Sequence, residues 1–295
     1  MPAVSPRVHV SANRPEPRDV VELRRLKAEH PELASAVDLQ ISLLDLQRRV
    51  ESRVPLPTSL IQRDLNEALS EGRPLLRFRD LPIDWSDFRF ALRETADLLL
   101  RFGVLEAGDH RCLTMLIREG HELEPRVERW FDEGRAEADS TRTATAFEEA
   151  PDQTLESLDQ VLSLAIRPFL TRCAEAVLPR LDLSSWKRGL CPLCASEPEM
   201  AVIAARGGRW LICGRCRGRW PFDSVACPYC GNDDRLRLTS FASRDGRYRI
   251  NACDVCCRYL KAYDERGADR PALVAVDTIA TLPLDAAAMQ RGYSS

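Results

Sequence analysis

Through the first half of the chain the apolar positions return at helical intervals. In RDVVELRRLKAEHPELASAVDLQISLLDLQRRVESRV they fall at Val20, Val21, Leu23 and Leu26, then at Leu33, Val37, Leu39, Ile41, Leu43, Leu44 and Leu46. That spacing predicts amphipathic helices interrupted near Pro31, whose ring removes a backbone donor and crowds the preceding turn. Another helix is predicted through FRFALRETADLLLRFG, capped by Asp84 or Ser86 and closed by Gly103. Further helices are predicted over 109–119, 122–135 and 153–181, the last kinked at Pro168. No strand pattern precedes 186, and residues 1–17, polar and Pro-rich, read as a disordered arm.

After Trp186 the period changes. Apolar runs at Met200 to Ile203 and at Trp210 to Ile212 flank Gly207-Gly208, a dipeptide suited to the positive φ angles of a tight hairpin. A second hairpin is predicted where Leu236, Leu238 and Phe241 precede Asp245-Gly246, and Tyr248 and Ile250 follow in alternation. Each predicted hairpin lies between two Cys-x-x-C pairs. Cys191/Cys194 and Cys213/Cys216 bracket the first across 18 residues, and Cys227/Cys230 and Cys253/Cys256 bracket the second across 22. A hairpin brings its ends together, so the four sulfurs at each base come within reach of one tetrahedral metal. The expected ligand sets are therefore Cys191, Cys194, Cys213 and Cys216, and Cys227, Cys230, Cys253 and Cys256. A crossed arrangement, as in interleaved zinc folds, is the alternative. The ten residues RGRWPFDSVA between Cys216 and Cys227 carry no turn signal, and Pro221 disfavours a paired strand there. They read as a joint whose Arg217 and Trp220 are expected to meet a partner, with docking lost and metal retained when either is changed to Ala.

Composition bears on the cysteines most. Nine of eleven lie between 191 and 257, and eight of those nine are paired. In a reducing compartment such spacing points to metal rather than to a disulfide framework. Four protein thiolates close a site, which argues against metal-assisted hydrolysis and for a structural or, with iron, one-electron role. Spacing alone does not separate zinc from iron. Cys257 is expected to be a spectator thiol, and Cys112 and Cys173 to be buried core thiols. The four histidines, His9, His30, His110 and His121, form no ligand spacing.

Net charge is −3, but residues 186–295 hold 17 Lys+Arg against 12 Asp+Glu. A divalent ion on four thiolates carries about −2, so two such centres bring this half close to neutral. That weakens a nucleic-acid reading of the cluster Arg206, Arg209, Arg215, Arg217 and Arg219, which reads as a docking surface or as compensation for thiolate charge. No apolar run of about 18 residues predicts a membrane span, and the first residues lack the apolar core of a secretory signal. A cytoplasmic protein is expected.

The motifs RPFLTRCAEAVLP…WKRGLCPLC, RWLICGRCRGRW, CPYC, CDVCCRYLKAY and DTIATLPLDAAAMQRGY resemble the formate dehydrogenase accessory protein FdhE family, over roughly 165–293 and more weakly around EHPELASAVDLQISLLDLQ. The chain departs from the family pattern at Ala195, at Val276-Asp277 and at Cys257. The resemblance implies an α+β protein, with a helical N-terminal domain (18–185) followed by two tandem rubredoxin-like, zinc-ribbon-like modules of four cysteines each (186–222 and 223–295). It also implies two metal ions on the eight named cysteines, iron with zinc as the alternative. The implied role is non-enzymatic, binding the formate dehydrogenase catalytic subunit in the cytoplasm during its maturation. The alternatives are a zinc-ribbon nucleic-acid binder and a thiol redox protein; the latter would need its Cys-x-x-C at a helix start rather than at a hairpin base.

Overall fold

A computed structural model describes residues 15–118, 120–139 and 153–294. Most of the expected arm, 1–14, and His9 with it, lies outside the described residues. The helical expectation holds closely. Helices α1 (Arg18–Glu29) and α2 (Ala34–Glu51) are separated by a short 3-10 turn at Pro31–Leu33. Short α3 (Thr58–Gln62) and α4 (Asn66–Ser70) lead to α5 (Trp85–Arg101). Asp84, not Ser86, caps α5: its carboxylate accepts from the N–H groups of Ser86 and Asp87. Gly103 closes the helix in the left-handed conformation, at φ 71°. Then come α6 (Ala107–Arg118), α7 (Gly120–Asp139) and α8 (Gln153–Val177), which runs through Pro168.

The C-terminal half is one mixed sheet of β1 (Pro198–Ile203), β2 (Arg209–Cys213), β3 (Arg219–Phe222), β4 (Leu238–Ala242), β5 (Tyr248–Cys253) and β6 (Arg258–Asp264), in the order β3-β2-β1-β6-β5-β4. Both expected hairpins are present, β1–β2 and β4–β5, each followed by a third antiparallel strand after its second cysteine pair. Two three-stranded meanders therefore repeat head to tail. They fuse through a parallel seam in which Met200 lies opposite Lys261 and Ile203 opposite Asp264.

The joint between Cys216 and Cys227 differs from its sequence reading. Residues 219–222 form a strand, and Pro221 sits opposite Trp210 on the sheet's outer edge. An edge position tolerates proline because its missing N–H faces away from the ladder.

Period-two alternation gives the sheet two occupied faces. Ala201, Leu211, Trp220, Leu260 and Ala262 pack into the core shared with α2, α5 and α8. Met200, Val202, Ile212 and Tyr263 turn the other way, onto Ala272 of the C-terminal tail. That tail ends in two helices without a strong sequence signal, α9 (Val274–Ala280) and α10 (Leu282–Met289). Val276 of α9 packs with Leu23, Leu33 and Val37, so the end of the chain returns to its first helices. Asp277 is fully buried and completely engaged, by Arg270, the Tyr248 hydroxyl and the Leu273 N–H.

Candidate metal centres

The four Cys-x-x-C segments adopt one local geometry. After each pair the chain reverses through a residue with positive φ: Ala195 at 63°, Arg217 at 60°, Gly231 at 74° and Cys257 at 55°. In the first three the residue after the pair donates to the carbonyl of the first cysteine, as Ala195 does to Cys191 at 3.0 Å and Gly231 to Cys227 at 2.9 Å. Such a knuckle turns both thiols to one side. Glycine suits its left-handed position, and an L-residue there costs about 1–2 kcal/mol. Ala195 and Cys257, two of the departures from the family pattern, occupy this position.

The hairpins bring the knuckles together in sequential pairs, and the crossed alternative does not occur. The sulfurs of Cys191, Cys194, Cys213 and Cys216 all lie within 4.8 Å of one another, as do those of Cys227, Cys230, Cys253 and Cys256. In the first cluster Cys191–Cys216 and Cys194–Cys213 are 3.5 Å apart, and in the second Cys227–Cys256 and Cys230–Cys253 are 3.7 Å apart. A tetrahedral ion with metal–sulfur bonds of about 2.3 Å needs edges of about 3.8 Å. These separations fit it and are far too long for disulfides. Backbone donors point at the sulfurs as well, from Cys216 N–H to Cys213 Sγ at 3.4 Å and from Gly218 N–H to Cys216 Sγ at 3.3 Å. Such donors favour the thiolate form that a metal requires. Burial opposes ionisation of Cys213, yet donation from Cys191, Cys194 and Cys216 holds its pKa well below the ordinary thiol value. Donation from Cys256, against burial, brings Cys227 down to about 5, while the same thiol–thiol hydrogen bonds hold the donors Cys216 and Cys256 above the ordinary thiol value. Each set can hold one ion.

The two centres differ in their surroundings. All four cysteines of the first are buried within the main core, and the helical half hydrogen-bonds to their knuckle, from Leu75 N–H to Pro192 and from Leu76 N–H to Leu193, both at 2.9 Å. Arg167 of α8 donates to the carbonyl of Gly214, inside the second knuckle, at 2.9 Å. Burial lowers its guanidinium to about 9, so it stays charged and sets a cation beside the thiolates. In the second centre Cys227 and Cys253 are buried, but Cys230 is exposed and Cys256 half-exposed. Its third knuckle wedges against the first module. Tyr229 donates to the Pro198 carbonyl, and Arg258 lies 3.7 Å over the Tyr229 ring while gripping both Glu197 oxygens at 2.7 Å.

Several side chains lie elsewhere than the sequence suggests. Trp220 is wholly buried, its indole donating to the Arg188 carbonyl, and Arg217 is paired with Glu199, so neither is a free docking side chain. The arginine cluster is no continuous basic face either. Arg209 is buried against Phe222, and Arg215 lies over Trp130 and reaches Asp159. Cys173 is buried as expected, whereas Cys112 is exposed. Arg167, Tyr229 and Arg258 escaped sequence reasoning because their partners are distant; Arg167 and Gly214 stand 47 positions apart.

No family model matches the chain. Among curated proteins it is similar to the FdhE homolog of Aquifex aeolicus, with 23% identity over 274 residues, 91% of this chain and 88% of that protein. It is also similar to FdhE of Escherichia coli, with 33% identity over 113 residues, a stretch covering 37% of this chain and only 36% of that protein. The crystal structure of FdhE from Pseudomonas aeruginosa superposes with a TM-score of 0.59 over 94% of this chain and 91% of that one, at 23% identity. At that identity the superposition speaks to the fold. Among the described residues no helix is long and apolar enough to cross a membrane.

Proposed function

We propose, from its similarity to the FdhE proteins, that the chain is a non-catalytic accessory protein for formate dehydrogenase, binding the catalytic subunit in the cytoplasm while that enzyme matures. The observation that carries this reading is the assembly of two closed tetracysteine centres at the bases of a repeated meander, in a chain with that sequence similarity. Eight thiolates arranged as two tetrahedra leave no ligand position for water or substrate, so the metals suit holding shape or, as iron, exchanging single electrons. The ligands of the first ion are Cys191, Cys194, Cys213 and Cys216, and those of the second Cys227, Cys230, Cys253 and Cys256. Iron is our assignment for both, with zinc the alternative.

Co-purification tests the role. Metal-loaded protein is expected to retain a formate dehydrogenase catalytic subunit, and no association at micromolar concentrations would count against the proposal. Ferric–thiolate charge-transfer absorption in anaerobically purified protein would support iron; colourless protein with about two zincs would replace it.

A further inference from the structure

Among the described residues β3 is an outer edge of the sheet, with no strand paired on its far side. The Cys213 N–H donates to the Gly218 carbonyl at 2.9 Å, which makes Cys213 and Gly218 a hydrogen-bonded pair of the β2–β3 ladder. Such pairs alternate. In this register Leu211 and Trp220 form the next bonded pair, while Arg219 (opposite Ile212) and Pro221 (opposite Trp210) do not bond across. The N–H and C=O of Arg219 and the C=O of Pro221 therefore point away from β2, to a side where no further strand lies among the described residues.

A short edge strand bearing a proline and a charge is also the usual device against unwanted pairing. What distinguishes β3 is the cleft beside it. Two cavities, of 630 and 360 Å³, adjoin along α8 and share Thr171, Arg217 and Arg219. The larger has Leu178, Leu181 and Pro221 in its walls, with Trp210 left 40% exposed. Around the smaller, Arg48 is taken by Asp19, Arg217 by Glu199, and Arg167 faces the first metal centre. Arg219 is exposed and has no acidic partner among the described residues. Glu175 and Asp182 line the larger cavity and Glu51 the smaller, so an incoming carboxylate is favoured only where it meets the Arg219 guanidinium itself.

We infer that β3 accepts an extended peptide segment of a partner protein as an added strand, with an apolar side chain over Pro221 and Trp210 and an acidic one, two residues along the same face, at Arg219. This rests on the accessory reading above for the identity of the partner, which would be the client enzyme. The occupant follows from the free backbone donor and acceptor of Arg219 and from its unpaired charge.

The probe is a fluorescently labelled, end-blocked peptide, Thr-Thr-Val-Thr-Glu-Thr-Thr, titrated to millimolar concentration against the full, metal-loaded chain. Binding is expected, with exchange of the Arg219 amide slowed in the complex. Replacing Glu by Lys, or N-methylating the peptide backbone, should weaken binding roughly fivefold or more. Arg219→Pro removes an N–H that the fold does not use and should do the same with both metals retained; Arg219→Ala should show the charge part alone. No binding, equal binding of the N-methylated peptide, or unchanged exchange at Arg219 would overturn the inference. Client capture separates the two proposals. Equal capture by wild type and Arg219→Pro sinks the edge site and leaves the accessory role; peptide binding without capture by wild type does the reverse.

Discussion

Gly189 gives the sharpest test of how the two meanders are joined. A methyl group built on it would lie 1.8 Å from the Pro228 carbonyl oxygen, 2.6 Å from its carbon and 2.8 Å from its Cα. Ordinary carbon–oxygen contact is about 3.3 Å, so the backbones must separate by about 1.5 Å. All three atoms belong to the main chain, and no rotamer change relieves them. Neither side yields readily. Pro228 lies between two cysteines of the second centre, and the carbonyls flanking Gly189 accept from Trp220 at 3.2 Å and Trp186 at 2.8 Å. Overpacking costs about 1–3 kcal/mol where neighbours can adjust; here we expect Gly189→Ala to cost about 3 kcal/mol or more. Urea unfolding of metal-loaded protein with metal analysis checks this, and the second centre should lose its ion first. Gly108→Ala, where a methyl meets nothing within 4 Å of an exposed helical site, should be neutral or slightly stabilising. A Gly189→Ala protein within about 0.5 kcal/mol of wild type, with both metals, would refute the close apposition of the modules.

Three further outcomes follow from the same structure. Asp277→Asn should cost about 3–5 kcal/mol in denaturant unfolding, because it leaves the Arg270 guanidinium buried without its counter-charge; a loss under about 1 kcal/mol would show the tail to be marginal to stability. A competing chelator should draw one ion quickly, from the centre with exposed Cys230, and the other only with unfolding; Cys230→Ser should keep the fold, and Cys213→Ser should not. Release of both ions at one rate would contradict the unequal burial. Cys257→Gly should raise stability by about 1 kcal/mol with two metals kept, because the residue sits in the left-handed knuckle position; loss of an ion would instead make Cys257 a ligand.

Much of the fold was legible from local signals. Helix periodicity placed α1, α2 and α5, Asp84 or Ser86 marked a cap, and two turn dipeptides located the β1–β2 and β4–β5 hairpins. The hairpins in turn sorted the eight paired cysteines into two sets, because a hairpin base is a local consequence of its turn. What was misread involved packing against distant partners. Pro221 argued against a strand by its missing N–H, but that objection vanishes at an edge, and edge position belongs to the whole sheet. Trp220 and Arg217 looked available because their stretch read as a joint between modules, while burial and the Glu199 partner depend on where the strand lies. The helices of the tail carry little amphipathic pattern, since both sides of α9 meet protein.

By itself, then, the sequence determined what is encoded at short range: helical and strand segments, the knuckle spacing and the grouping of thiols. Only the tertiary structure decided the parallel β1–β6 seam that makes one sheet of two modules, the burial of one tetracysteine cluster and partial exposure of the other, and the return of the tail to α1. The physical reason is the range of the interactions. Turn dihedrals and alternation act over a few residues, whereas burial, edge position and a buried counter-ion such as Arg167 depend on residues that only the folded chain brings together.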